Sequence, residues 1–259
     1  MLTQGRILVN KEVIHRAKYP LKKGDVIEVM GRQRAEERTP PPQTSSIDLD
    51  ILFEDATLLV VNKPHQLLSV ATDRLEIDTL HSRCVEHVRL TNDRGWVFIV
   101  HRLDKETSGI MVLAKTKQGK EELQQQFSDR LVHRLYMTRV EGEPTPSLGS
   151  VRTWLMEDKH LNVKAVNKKH PKGKEAISHY STVSSDDSTA LVEVMIETGR
   201  RHQIRMAMQY LGTPVVGDER HGAQTNPYNR VMLHASSLEF LHPDTDDPVR
   251  FEAPLPPGF

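Results

Sequence analysis

One uninterrupted run, His101-Arg102-Leu103-Asp104-Lys105-Glu106-Thr107-Ser108-Gly109, concentrates the groups best suited to chemistry. A carboxylate beside an arginine and an imidazole can serve as nucleophile or proton carrier, provided that it stays ionised in a partly dry site. Local Arg–Asp pairs are also common structural ties, and charge content alone favours that reading. The flanks matter as much as the run itself. Val97-Phe98-Ile99-Val100 precedes it and Ile110-Met111-Val112-Leu113-Ala114 follows it. Apolar runs this short, bounded by charges and by a Ser-Gly pair, suit buried strands rather than helices. A polar bend between two strands would present Asp104 from a rigid support.

Other segments must build the surroundings. Thr79 to Val88 carries apolar residues at helical spacing, with His81 and His87 six apart, a separation unlike the i, i+4 pair of a helical zinc site; both are expected to be solvated. Thr116 can cap a polar helix running to Phe127. Arg134 to Gly142 alternates as a strand does, and so do Ala176 to Val183 and Ala190 to Glu197, joined by Ser184-Ser185-Asp186-Asp187 as in a hairpin. From Thr198 to Gly212 the apolar Ile204, Ala207, Met208 and Leu211 define one helical face, and Arg201 and Arg205 lie four apart on another. Gly199 would let the chain turn into that helix, and Leu211-Gly212 would end it. The phrases Gly212 to Asp218 and Arg230 to Ala235 read as core scaffolding.

His-Arg-Leu-Asp-x-x-Thr-Ser-Gly resembles the active-site signature of the RluA family of RNA pseudouridine synthases at every fixed position, and the similarity extends over roughly residues 48 to 259. It differs from the protein-kinase His-Arg-Asp loop, because Leu103 separates Arg102 from Asp104 and no Asp-Phe-Gly follows. The resemblance implies an α+β fold: a mixed, largely antiparallel sheet with flanking helices. It implies Asp104, Tyr136 and Arg205 as catalytic residues, with Arg205 within salt-bridge distance of Asp104 to keep it charged. Such an arginine lowers a carboxylate pKa by about 1 to 3. Tyr136 would stack on the uracil. Arg102 would fill the gap left by a flipped base, with His101, Ile204, Arg201 and Lys63 also contacting substrate, Lys63 through a phosphate. Two departures stand out: Thr138 where the family more often has Ala, and Ala207 where it usually has His.

The isomerisation that the resemblance implies adds and removes nothing overall, so no cofactor and no metal are expected. The thirteen histidines show no ligand spacing that would argue for a metal-dependent hydrolase. The other reading from a different class is an RNA-binding folding or assembly factor that keeps the fold without turnover. Structured RNA is the implied partner, ribosomal RNA ahead of transfer RNA.

Bulk charge gives an RNA partner no support, since Lys plus Arg and Asp plus Glu number 35 each over 259 residues. The local exception is residues 159 to 174, with Lys159, Lys164, Lys168, Lys169, Lys172 and Lys174 and no acidic side chain. That stretch reads equally as a solvated loop or as a contact to a phosphate backbone. The single cysteine, Cys84, reads as a core side chain in a reducing compartment. No run approaches the length of a membrane span, and the expectation is a cytoplasmic monomer.

Residues 1 to 30 contain short strands around turn signals at Asn10-Lys11 and Lys23-Gly24-Asp25, and resemble the C-terminal half of an S4 RNA-binding domain without its opening helices. Residues 31 to 46, charged and then proline-rich, read as a semi-rigid linker to a catalytic domain over residues 47 to 259.

Overall fold

A computed structural model describes residues 7–14, 19–29, 48–72, 76–159 and 161–259. Arg6, the expected linker at 31–46 and His160 lie outside the described residues. The chain divides into two units, Met1–Asp48 with Ala71–Ile77, and Leu49–Val70 with Asp78–Phe259.

In the first unit β1 (Ile7–Val9), β2 (Glu12–Val13) and β3 (Ile27–Val29) form an antiparallel sheet in the order β2-β1-β3. Both turn signals act as expected. Asn10 and Lys11 take positive φ of 51° and 71°, as a two-residue hairpin requires, and Gly24 takes 102°. Asn10 and Asp25 then tie the two turns together through a side-chain hydrogen bond of 2.8 Å.

The second unit is built on strands β4 (Asp50–Glu54), β5 (Leu58–Lys63), β6 (Phe98–Ile99), β7 (Ser108–Ala114), β8 (His133–Glu141), β9 (Leu148–Glu157), β10 (Val163–Val166), β11 (Lys174–Ser185), β12 (Thr189–Ile196), β13 (Leu233–Leu241) and β14 (Pro248–Glu252). The path through the sheet is β10-β9-β11-β12-β8-β13-β7-β5-β4, with β14 beside β13 and β6 beside β7. All pairings are antiparallel except β13 with β7. The fold is therefore α+β with a mixed, largely antiparallel sheet. The chemistry-bearing run lies between β6 and β7 as expected, although β7 begins at Ser108 and takes in the last two residues of the run.

Helices cover both faces of the central strands. On β5, Leu59 and Val61 join one core and Leu58 and Val60 another; β7 divides Met111 and Leu113 from Ile110, Val112 and Ala114 in the same way. Burial on two sides explains why β7 reads as an unbroken apolar run. The first core is closed by α1 (Leu80–Thr91) and α3 (Gln203–Tyr210), the second by α2 (Lys117–Ser128). Thr79 caps α1 by accepting from the Ser82 amide, and Thr116 caps α2 by accepting from that of Gly119, which satisfies donors that a helix start leaves open. His81 and His87 are half-buried and each holds a partner rather than water alone: the first bonds the Val97 carbonyl at 3.0 Å and the second, still partly exposed, Glu54 at 2.6 Å. Cys84 is buried in the first core, where desolvation pushes its thiol up to about 12, far from a nucleophile's range. Among the described residues no helix is long and apolar enough to cross a membrane.

At the start of β7, Gly109 faces Ala235 of β13, and a Cβ there would lie 2.2 Å from the Ala235 carbonyl oxygen. With φ at 113° as well, only glycine lets the two strands meet. This close approach fixes where the polar bend leaves the sheet.

Candidate active site

The bend from Val100 to Thr107 is clamped from below. Ser69 Oγ donates to the Leu103 carbonyl at 2.7 Å and accepts the Leu103 amide at 3.1 Å. Lys63 lies beneath, fully buried, its Nζ donating to the carbonyls of Pro64, Leu67 and Lys105 at 2.9, 2.8 and 3.3 Å. Those three bonds use every ammonium donor, so Lys63 is a support for the loop and cannot hold a phosphate. Burial pulls its pKa down to about 7, against the pull of Asp104 and Glu106 in the other direction.

Above the clamp opens a cleft of about 780 Å³. It brings together Asp104, Arg102, His101, Tyr136, Arg201 and Ile204, six of the residues singled out in the sequence, while Lys63 and Arg205 lie outside its lining. Five arginines, at 102, 130, 134, 200 and 201, face two carboxylates, Asp104 and Glu197, across this space. Glu197 is occupied by Arg130 at 3.1 Å and His179 at 2.8 Å. The cleft is thus locally basic in a chain of balanced charge, as an anionic substrate requires.

Asp104 sits half-buried in the lining and receives one hydrogen bond, from the His202 amide to Oδ2 at 3.3 Å. The expected ion pair with Arg205 is not formed. Arg205, 2% exposed, directs Nε and Nη2 to the two oxygens of Asp218, each at 2.6 Å, and Nη1 to Glu106 at 3.3 Å. Three of its five N–H donors are therefore committed elsewhere, and it reaches Asp104 only through space. Burial raises the Asp104 pKa above the ordinary carboxylate range; Arg205 pulls it back, Glu106 pushes it further up, and Arg201 and the His202 amide pull it down. This corrects the expectation of a carboxylate held low by a direct arginine contact. Glu106→Gln removes the neighbouring negative charge, so the acid limb of the kcat/KM profile is expected to move to lower pH; an unmoved limb would exclude this coupling.

The α3 segment also differs from its sequence reading. The helix starts at Gln203, so Arg201 belongs to the preceding turn and shares no helical face with Arg205. Arg201 instead lies 3.7 Å from Glu157 at the end of β9. The sharp turn is made by His202, in left-handed conformation at φ 52°, rather than by Gly199. Gly199 has another use: a Cβ there would come within 3.0 Å of Nη1 of Arg134. His202 is held by His221, Nδ1 to Nε2 at 2.9 Å, and burial, with Arg205 next, brings the His202 pKa to about 2. Two neutral rings, one donating to the other, keep the amide of His202 aimed at Asp104.

Tyr136 and Arg134, two apart on β8, project into the cleft from one face of the strand. Burial raises the Tyr136 phenol, with Arg134 opposing and Asp104 reinforcing the shift, which suits a ring that stacks better than one that accepts a proton. Arg134, 8% exposed, bonds the carbonyls of Ile196 and Glu197 at 3.4 and 2.9 Å and lies 5.5 Å over the Phe127 ring. His101 stacks on the same Phe127 at 4.8 Å and accepts the Val112 amide at 3.1 Å; burial drops its pKa to about 3, so it stands neutral as a brace of the loop rather than as a cationic contact. Arg102 is exposed at the cleft and has no hydrogen-bond or ion-pair partner among the described residues. Sequence reading missed Arg134, Glu106, His202 and Asp218 as site residues; only Arg134 left a signal, its i, i−2 relation to Tyr136.

Comparison with known proteins accounts for this arrangement of a basic cleft around one carboxylate. The family described as RNA pseudouridylate synthase matches residues 57–210. The chain belongs to that family and is an RNA pseudouridine synthase of the RluA type. It is 33% identical to the uncharacterized RNA pseudouridine synthase YjbO of Bacillus subtilis, over 97% of this chain and 87% of that protein. Ribosomal large subunit pseudouridine synthase D of Neisseria meningitidis serogroup A is also 33% identical, over 98% of this chain and 70% of the relative. Among solved structures it is similar to human RNA pseudouridylate synthase domain containing 4, with a TM-score of 0.68 and 25% identity, covering 80% of this chain and 89% of that one.

Proposed function

We propose that this synthase isomerises specific uridines of ribosomal RNA, with Asp104 as its catalytic carboxylate. The observation that carries the reading is the environment of Asp104: a half-buried carboxylate lining a cleft rich in arginine, bonded among the described residues by the His202 amide alone and so open to a substrate. In the reaction the C1′–N1 bond breaks, the base turns, C1′ joins C5, the C5 proton leaves and N1 gains a proton. Asp104 supplies the negative charge beside the ribose that this exchange needs. Arg205 is a positioning residue, setting the field at Asp104 from behind α3. Tyr136 stacks on the uracil, Ile204 packs against it, and Arg102, free at the cleft, takes the space that the flipped base leaves in the RNA stack. Arg201 contributes to phosphate binding at the cleft.

The names of relatives such as ribosomal large subunit pseudouridine synthases C and D support ribosomal RNA as the substrate class. The three-stranded N-terminal unit is read as an S4-like remnant. The test is tritium release from RNA labelled at uracil C5, comparing large-subunit ribosomal RNA with transfer RNA prepared from cells lacking the protein. Release from the ribosomal RNA alone is the expected outcome. Release from transfer RNA alone would overturn the substrate, and binding without release from either would favour an RNA-binding factor that does not turn over.

A further inference from the structure

The lysine-rich segment that the sequence left open between a loop and a phosphate contact forms a defined surface. Lys159, Lys164, Lys168, Lys169, Lys172 and Lys174 are all exposed, and none is ion-paired among the described residues. Two nearby glutamates are already paired with arginines: Glu157 faces Arg201 at 3.7 Å and Glu175 faces Arg152 at 3.6 Å.

The sheet has two distinct faces here. Leu155, Val163 and Ala176 pack with Met206 of α3, on the inner side. By register Trp154 lies opposite Val166 and Met156 opposite Lys164, which puts these four on the other face, where Lys168 Nζ stands 5.5 Å over the Trp154 ring. An aromatic ring set among unpaired ammonium groups suits a nucleic acid better than a purely acidic partner.

Cleft arginines reach this sheet at two points: Arg200 donates from Nε to the carbonyl of Glu175 at 2.9 Å, and Arg201 meets Glu157, two residues before Lys159. By register Glu157 and Lys174 share the inner face with Leu155, and the backbone must pass around the edge to reach Lys164 and Trp154. Both arginines line the cleft. Guarding an open edge against strand pairing is the ordinary duty of edge lysines. That duty accounts for Lys164, on the edge strand β10, and not for Lys159, Lys168, Lys169 and Lys172, which lie in the adjoining turns.

We infer that β9, β10, β11 and their turns carry the phosphate backbone of the substrate RNA as it leaves the cleft over Arg200 and Arg201. The inference rests on the RNA-directed activity of the family and adds a binding surface outside the catalytic cleft. The direct test compares the full-length protein with the variant Lys164→Gln, Lys168→Gln, Lys169→Gln, Lys172→Gln. Binding to large-subunit ribosomal RNA is measured across a salt series, and tritium release is followed on the same RNA. Each lost phosphate contact reduces the slope of log K against log salt by about 0.7 to 0.9, so the slope is expected to fall by about 3 and the two proteins to converge at high salt. KM rises while kcat at saturating RNA is retained, because the cleft is untouched. A matched Lys→Arg variant is expected to keep wild-type binding, which separates lost charge from a disturbed fold. Equal slopes and equal KM for the Gln variant would overturn the inference and leave a solvated, edge-guarding surface. Absence of RNA binding by the wild type would overturn it together with the substrate reading, whereas tritium release with an unaltered slope would overturn it alone.

Discussion

Asp104→Asn is expected to lose tritium release and to fold more stably than the wild type at neutral pH. The first effect follows from removing the only group proposed to carry negative charge to the ribose; removal of a positioned acid–base group costs up to about 10⁴-fold in rate. The second follows from the direction of the Asp104 shift. Burial raises the folded pKa of this carboxyl above its value in the unfolded chain. Its contribution to stability is then complete below the unfolded pKa and is lost as pH rises through the folded one, so at neutral pH the ionised Asp104 opposes folding. Asparagine keeps the shape without the charge. Each kcal/mol recovered lifts Tm by about 2 to 4 °C for a domain of this size. Thermal unfolding measured from neutral to acid pH provides the check: the advantage of the variant should shrink as Asp104 becomes protonated. A variant less stable than wild type at neutral pH would mean that the charged form is held by contacts stronger than the single His202 amide.

The second large effect concerns Arg205 and Asp218, 2% and 1% exposed and joined by two bonds of 2.6 Å. Asp218→Ala strips a buried guanidinium of its two shortest bonds and leaves it only the 3.3 Å contact to the partly exposed Glu106, a loss approaching the roughly 3–5 kcal/mol of a broken buried pair. Urea denaturation should register the loss as a lower midpoint with little change in slope. Replacing both partners, Arg205→Met with Asp218→Leu, removes the stranded charge and is expected to recover most of the stability, since apolar replacement of a buried pair is often neutral. Turnover should stay low in that double variant, because the cation that pulls the Asp104 pKa down is gone. Recovery of turnover along with stability would reduce the pair to scaffolding.

These two residues also mark the limit of what the sequence made legible. Local signals were sufficient for the cap at Thr116, the hairpin turn at Asn10-Lys11, and the two apolar runs around Asp104, because each depends on neighbours within a few positions. The partner of Arg205 does not. Asp218 is 13 positions on, in a segment that read as scaffolding, and its pairing with Arg205 depends on how that segment returns beside α3. Lys63 misled for a related reason: a lysine at the end of a strand is usually solvated, but β5 lies between β4 and β7 and its end runs beneath the Asp104 loop. The place of Arg201 was lost by a shift of two residues in the start of α3, set by the left-handed turn at His202, for which a non-glycine residue gave no local signal.

The position of β13 bears on when the enzyme first becomes competent. Asp104 precedes β7 and Tyr136 lies on β8, yet these strands are not neighbours: β13, about a hundred residues later in the chain, lies between them and pairs with both. A chain emerging from the ribosome carries its carboxylate and its tyrosine on two strands with nothing to join them until Leu233–Leu241 has been made and inserted, with Gly109 against Ala235. Long-range insertion of this kind is slow relative to local pairing. A growing chain held close to abundant ribosomal RNA would therefore have no assembled site, and chemistry would begin only once synthesis has passed the last strand that the cleft requires.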